Sequence, residues 1–249
     1  METPNIMRKT ILTLTTFAII NTSFAQNWLD IGIKGGYGLS LLYNQNIFDD
    51  SGFNHQLSGA YSFGGKIGLN FGENHEVTVD ILSSSFKQKF KFNITDSLSG
   101  ASPTYNSQIN YQALDILLMY RSNNEGRYFE IGPYMSLIKE AQHTNEYLDI
   151  VNETVTNNWN KNGYGVAMGF GAYLIGSENF GVTFGARFNY MISDAISTLG
   201  QSNNFPANKN YDSYKASHPF SAMIVMEMNY DLGYLASAKC SKRRKIILF

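Results

Sequence analysis

Apolar and polar residues alternate one for one along eight segments of this chain, the period of a half-buried β-strand. In the first, about residues 28–40, Leu29, Ile31, Ile33, Tyr37 and Leu39 share one face, and Asp30, Gly32, Lys34, Gly36 and Ser40 share the other. The second, about 57–71, sets Leu57, Tyr61, Phe63, Ile67, Leu69 and Phe71 against Ser58, Ser62, Lys66 and Asn70. The third, about 75–92, begins with Val77, Val79 and Ile81 on its apolar face and changes phase at Ser83–Ser85. Phe86, Phe90 and Phe92 then continue that face, and a one-residue shift of this kind predicts a β-bulge. Five more segments follow at about 108–121, 127–139, 163–175, 180–191 and 219–232, the sixth of the eight with a glycine-rich polar face.

The connections between these segments alternate in length. Residues 41–56, 93–107, 140–162 and 192–218 are long and polar, whereas Gly72–Asn74, Ser122–Gly126 and Gly176–Asn179 are tight turns. A soluble β-sandwich also alternates, but it has no need of one long and one short end. Short turns at one end, long loops at the other and an even strand count describe a membrane β-barrel, which closes its sheet because lipid tolerates no free edge. The expected fold is therefore all-β: an eight-stranded antiparallel up-and-down transmembrane β-barrel over residues 26–232. The larger, aromatic-flanked face is expected to meet lipid, with both mature termini in the periplasm.

Composition agrees with export. Arg8 and Lys9, the apolar run from Ile11 to Ile20 and Ser23-Phe24-Ala25 read as a cleavable signal peptide over residues 1–25. The run is shorter than the ~20 residues a spanning helix needs. Tyr (16), Phe (17) and Gly (22) are abundant and Pro (5) is scarce, as strands require. Mean hydropathy is negative, which a barrel permits because only every second residue faces lipid. The single cysteine, Cys240, excludes an internal disulfide.

Three segments carry a family likeness: Tyr111–Arg121 (YQALDILLMYR), Arg127–Tyr134 (RYFEIGPY) and Phe184–Tyr190 (FGARFNY). They resemble strands of the PorT-like outer-membrane β-barrel family, over about residues 27–232. Leu117 stands where that family's proline is expected, and the C-terminal extension is additional. The resemblance implies a barrel like the transmembrane domain of OmpA and, for a few members, assistance to protein secretion linked to gliding motility. It carries over no residue-level site.

Charge on the inward face is the most informative chemistry. Lys34, Lys66 and Arg187 are set against Asp80, Asp115, Glu130 and Glu227. An eight-stranded barrel is just wide enough for its side chains to fill, and isolated buried ions are costly, so these seven are expected to pair as a plug at mid-barrel. The other reading of the same groups is a gated ion or proton path. His55, His75, His143 and His218 bring neither metal-ligand spacing nor a serine and carboxylate beside them. No catalytic residue, cofactor or metal is therefore expected.

Loop aromatics Phe53, Tyr147, Trp159, Phe205 and Tyr211 are candidates for surface binding. At the other end, residues 233–249 form a tail with Lys239, Lys242, Arg243, Arg244 and Lys245, a candidate contact for an anionic surface or a periplasmic protein. A near-neutral total of 19 basic and 20 acidic residues thus conceals an acidic body and a basic end. The expected partners are outer-membrane lipids and periplasmic or surface proteins; export argues against nucleic acid. These features together predict a non-enzymatic outer-membrane barrel with a plugged interior, serving envelope structure or surface binding. A secretion accessory, a narrow pore and a lipid-modifying enzyme stand as alternatives.

Overall fold

The computed structural model describes residues 27–93, 102–177 and 179–234. The expected signal peptide, and the tail with Lys242, Arg243, Arg244 and Lys245, lie outside the described residues. Among the described residues ten strands follow in chain order: β1 (Asn27–Asn44), β2 (Phe53–Gln56), β3 (Ser58–Phe71), β4 (His75–Asn93), β5 (Thr104–Asn124), β6 (Arg127–Asn145), β7 (Ile150–Thr154), β8 (Asn162–Gly176), β9 (Phe180–Met191) and β10 (Ser217–Tyr234). Every pairing is antiparallel.

Eight of them close a ring: β1–β3–β4–β5–β6–β8–β9–β10, with β10 returning to β1 from Trp28↔Tyr234 to Asn44↔Ser217. The remaining two are extensions, β2 continuing the line of β3 along β4 and β7 adding to β6. Tight turns join the strands at one end. At two of them the backbone requires the left-handed region, which Gly72 (φ 65°) and Gly126 (φ 78°) occupy without the strain of a Cβ.

Strand length explains the shape of the other end. A barrel strand crosses a bilayer in about 9–11 residues, but β4, β5 and β6 have 19, 21 and 19. Their surplus stands beyond the apolar belt, and residues 104–107 and 140–145, which read as polar loop in the sequence, are strand. Polarity reverses with height along this wall. Near the short turns β4 points Val77, Val79 and Ile81 outward and Glu76, Thr78 and Asp80 inward. Higher up it points Lys87, Lys89 and Lys91 outward and buries Phe86, Phe90 and Phe92.

The expected bulge at Ser83–Ser85 is therefore incorrect. Register through those residues is continuous on both sides, from Ala60↔Phe86 to Phe71↔His75 and from His75↔Ser122 to Asn93↔Thr104. The apolar face changed sides because the surroundings changed from lipid to water, not because the strand slipped. Irregularities occur instead at Leu29/Asp30, Gln112/Ala113 and Tyr173/Ile175.

Short structured segments cover the tall end. Helix α1 (Gln45–Asp49) is capped by Asn44, whose side chain accepts from the Ile47 N–H at 3.3 Å, and it seats Ile47 in the core. Helix α2 (Thr198–Ser202) is capped in the same way by Ser197, which accepts from the Gly200 N–H at 3.2 Å. A bridge between Trp159 and Ile196 ties the two longest loops together.

Candidate functional site in the barrel interior and loop cap

Inward positions of seven ring strands converge near the short-turn end as one ionic network. Some pairs are cross-strand neighbours by register: Lys34 opposite Glu227, and Arg121 between Glu76 and Glu130. Others skip a strand, and two join opposite walls of the bore, Arg121 to Glu227 and Arg187 to Asp80. Lys34 Nζ donates to Asp80 Oδ2 at 2.6 Å, and Lys66 Nζ donates to Glu227 Oε1 at 2.9 Å. Arg121 forks onto Glu227 with both donor distances at 2.8 Å and also holds Glu130. Arg187 bridges Asp80, at 2.9 Å, and Glu130. Glu76 meets Lys66 and Arg121, and Asp30 lies 3.4 Å from Lys66 while accepting from Asn70 Nδ2 at 2.6 Å.

Each of the four cations thus touches at least two carboxylates, which is what offsets the desolvation of so many buried charges. Tyr128 adds its ring face to Arg121, 4.3 Å from the guanidinium carbon. The eighth strand, β8, contributes space. A Cβ at Gly169 would lie 2.8 Å from Glu130 Oε1, so glycine there admits the long side chain.

Of the seven residues expected to pair, Lys34, Lys66, Asp80, Glu130, Arg187 and Glu227 lie in this network. Asp115 does not. It is buried but forms no ion pair among the described residues, and it borders a small cavity with Tyr111, Tyr134, Ser136 and Asn189. Five residues of β5 lie between it and Arg121, a span of roughly 20 Å of strand. Arg121, Glu76 and Asp30 join the network without being among the expected seven. Their parity was available, since Arg121 shares a face with Asp115 and Glu76 with Asp80, but they sit near strand ends, where charge is ordinarily solvated.

Above the network the interior is dominated by apolar side chains. Phe86, Phe90, Ile109, Tyr111, Ile138 and Met191 fill the bore, and the loops press Ile47, Trp159, Ile196 and Phe205 onto them. Tyr111 and Trp159 have ring centroids 4.6 Å apart, and Trp159 meets Phe205 at 6.0 Å. Trp159 and Phe205, expected as surface anchors, are each only 4% exposed; they seal the cap and offer no face to a ligand. Phe53 stacks on Phe92 at 5.4 Å. Tyr147 is exposed, edge-on to Tyr105, and Tyr211 is half-buried with its hydroxyl donating to Asp50 at 3.0 Å.

One pairing in the cap has the residue types of a nucleophile and base. Ser107 Oγ and His143 Nε2 are 2.9 Å apart, yet both are buried, Phe205 lies edge-on to the imidazole, and no carboxylate among the described residues forms an ion pair with it. Burial lowers the His143 pKa, with Glu153 opposing weakly, and burial lowers that of His55 as well. The unfolded chain therefore takes up protons near pH 6.5 that the folded rings resist. Cap stability should be complete above pH 6.5 and fall as pH drops through the lowered folded values. Limited proteolysis of the loops between pH 7.5 and 5 should report this, and His143→Phe should reduce the acid sensitivity.

The family match agrees with this architecture. Residues 24–197 match the family described as outer membrane protein beta-barrel domain. Among solved structures, the chain is similar to the attachment invasion locus protein of Yersinia pestis (14% identity, TM-score 0.36), covering 82% of this chain and 99% of that one. It is also similar to OprG of Pseudomonas aeruginosa (9%, TM-score 0.37; 83% and 96% covered) and the outer membrane protease OmpT of Escherichia coli (13%, TM-score 0.34; 83% and 97% covered). No curated protein matches. A closed ring with a lipid-type apolar belt and a family match over most of the chain lead to one assignment: this protein belongs to the outer membrane protein beta-barrel domain family and resides in the outer membrane.

Proposed function

We propose that the protein is a non-enzymatic barrel that acts through the cap at its long-loop end, displayed on the cell surface, with both mature termini in the periplasm. The observation that carries this reading is the doubly filled bore. Ionic bonds span it at one level and aromatic packing fills it at the next, so recognition is left to the exposed cap. Of the cap aromatics among the described residues, Phe48, Tyr147 and Tyr214 are exposed and Phe53 and Tyr211 keep partial exposure. In planar bilayers the full chain should give no stepwise conductance; sustained single-channel steps would overturn the closed bore.

A second reading draws on the PorT-like segments Tyr111–Arg121, Arg127–Tyr134 and Phe184–Tyr190 and makes the barrel a secretion accessory. Deleting the gene should then deplete secreted surface proteins, and normal secretion sinks that version. In either reading the basic tail, with Lys242, Arg243, Arg244 and Lys245, is proposed to touch an anionic surface or a periplasmic partner after removal of residues 1–25.

A further inference from the structure

The reversal of polarity along β4 leaves an unusual outer face. Lys87, Lys89 and Lys91 all point outward and are exposed, at two-residue spacing that sets neighbours about 7 Å apart. Among the described residues none of the three pairs with a carboxylate. Their cross-strand neighbours are amides: Asn110, Gln108 and Asn106 on β5, and Gln56 and Asn54 on β2. The nearest carboxylate by register, Glu146, lies beyond Asn106 and is occupied by it, accepting from its backbone N–H at 2.8 Å and from Nδ2 at 2.9 and 3.0 Å. Three like charges placed this close repel one another unless something anionic lies over them.

Height identifies what that is. Counting from His75 at the short-turn rim, eleven residues bring β4 to Ser85, the number a barrel strand uses to cross hydrocarbon. The neighbouring strand changes character at the same rung: Ile116 and Leu114 face outward opposite Ile81 and Ser83, and Gln112 lies opposite Ser85. On the other side Ser85 pairs with Tyr61, an exposed outward aromatic of the kind that settles at headgroup depth. Lys87 is therefore the first outward residue past the belt, with Lys89 and Lys91 just above it.

We propose that the Lys87–Lys89–Lys91 stripe binds the phosphate-bearing headgroups of outer-leaflet glycolipid, with the flanking Asn and Gln amides hydrogen-bonding its phosphate and sugar oxygens. This rests on the long-loop end facing outward, as proposed above. The stripe supplies charge, the amides supply directional donors and acceptors, and the belt fixes the lipid's depth.

The test uses the full chain expressed in a Gram-negative outer membrane and extracted in mild detergent, with retained phosphorylated glycolipid measured by mass spectrometry. A basic residue at an anionic surface is worth about fivefold in affinity, so the triple variant Lys87→Gln, Lys89→Gln, Lys91→Gln should lose on the order of a hundredfold. High salt should strip lipid from the wild type. Unheated gel migration verifies that the variant barrel is folded; if it is not, the single variant Lys89→Gln should still lose about fivefold. Equal retention by wild type and folded variant overturns the proposal. So does wild-type protein that retains no glycolipid yet binds a soluble sulfated polysaccharide through the stripe. Orientation is read separately, in a Cys240→Ser background, by labelling Ser213→Cys on intact cells with an impermeant maleimide. Labelling with unchanged lipid retention sinks the stripe alone, whereas absence of labelling sinks the surface-display reading on which it rests.

Discussion

Replacing Arg121 with leucine should destabilise the barrel by about 3–5 kcal/mol, the range found when one partner of a buried ionic cluster is removed. Arg121 is fully buried and reaches three carboxylates: Glu227 and Glu130 at 2.8 Å and Glu76 at 3.5 Å. Leucine fills much of the volume but leaves those anions with fewer counter-charges in a space that excludes water. Glu227 retains Lys34 and Lys66, Glu130 retains Arg187 and Glu76 retains Lys66, so the network is weakened at every level rather than cut at one point. Urea unfolding in detergent or lipid, followed by unheated gel migration, should show a clear drop in midpoint. Arg121→Lys should recover part of the loss by restoring charge without the bidentate fork. A leucine variant with an unchanged midpoint would show that the network does not support the fold.

Trp159→Ala should cost the cap about 3–5 kcal/mol while leaving the ring largely intact. Trp159 closes the apolar tier, stacked near Tyr111 and edge-on to Phe205, and its backbone bridges to Ile196 from the next long loop. Truncation opens a cavity at the junction of two loops, and neither strand ladder can collapse to fill it. Proteolytic cleavage within residues 146–160 and 192–216 should accelerate markedly, with gel migration of the folded ring retained. Loss of cap and ring together would mean that the two interior tiers fold as one unit.

These two residues also mark where reading the chain succeeded and where it did not. Alternation placed all eight ring strands, because a residue's face follows from its parity alone. The tight turns and long connections gave the order of the ring for the same reason: they are local. Parity also held what was needed for Arg121 and Glu76, but not the knowledge that strand ends stay inside a closed wall. Phe86, Phe90 and Phe92 read from sequence as a lipid face, but above the belt the apolar side of the wall is the inside. Trp159 and Phe205 read as surface anchors for the mirror reason, since a polar stretch around an aromatic does not reveal that two loops fold over it.

By itself, then, the sequence determined the number of ring strands, their antiparallel order and, within each uninterrupted run of alternation, which residues share a face. All of these follow from backbone geometry with a period of two. Only the tertiary structure decided height and company: how far each strand stands beyond the belt, which charges meet across the bore, and that Asp115 stands apart from the network. Those depend on ring closure and strand stagger, which bring residues such as Arg121 and Glu227, or Arg187 and Asp80, into contact across the bore although they lie far apart in the chain.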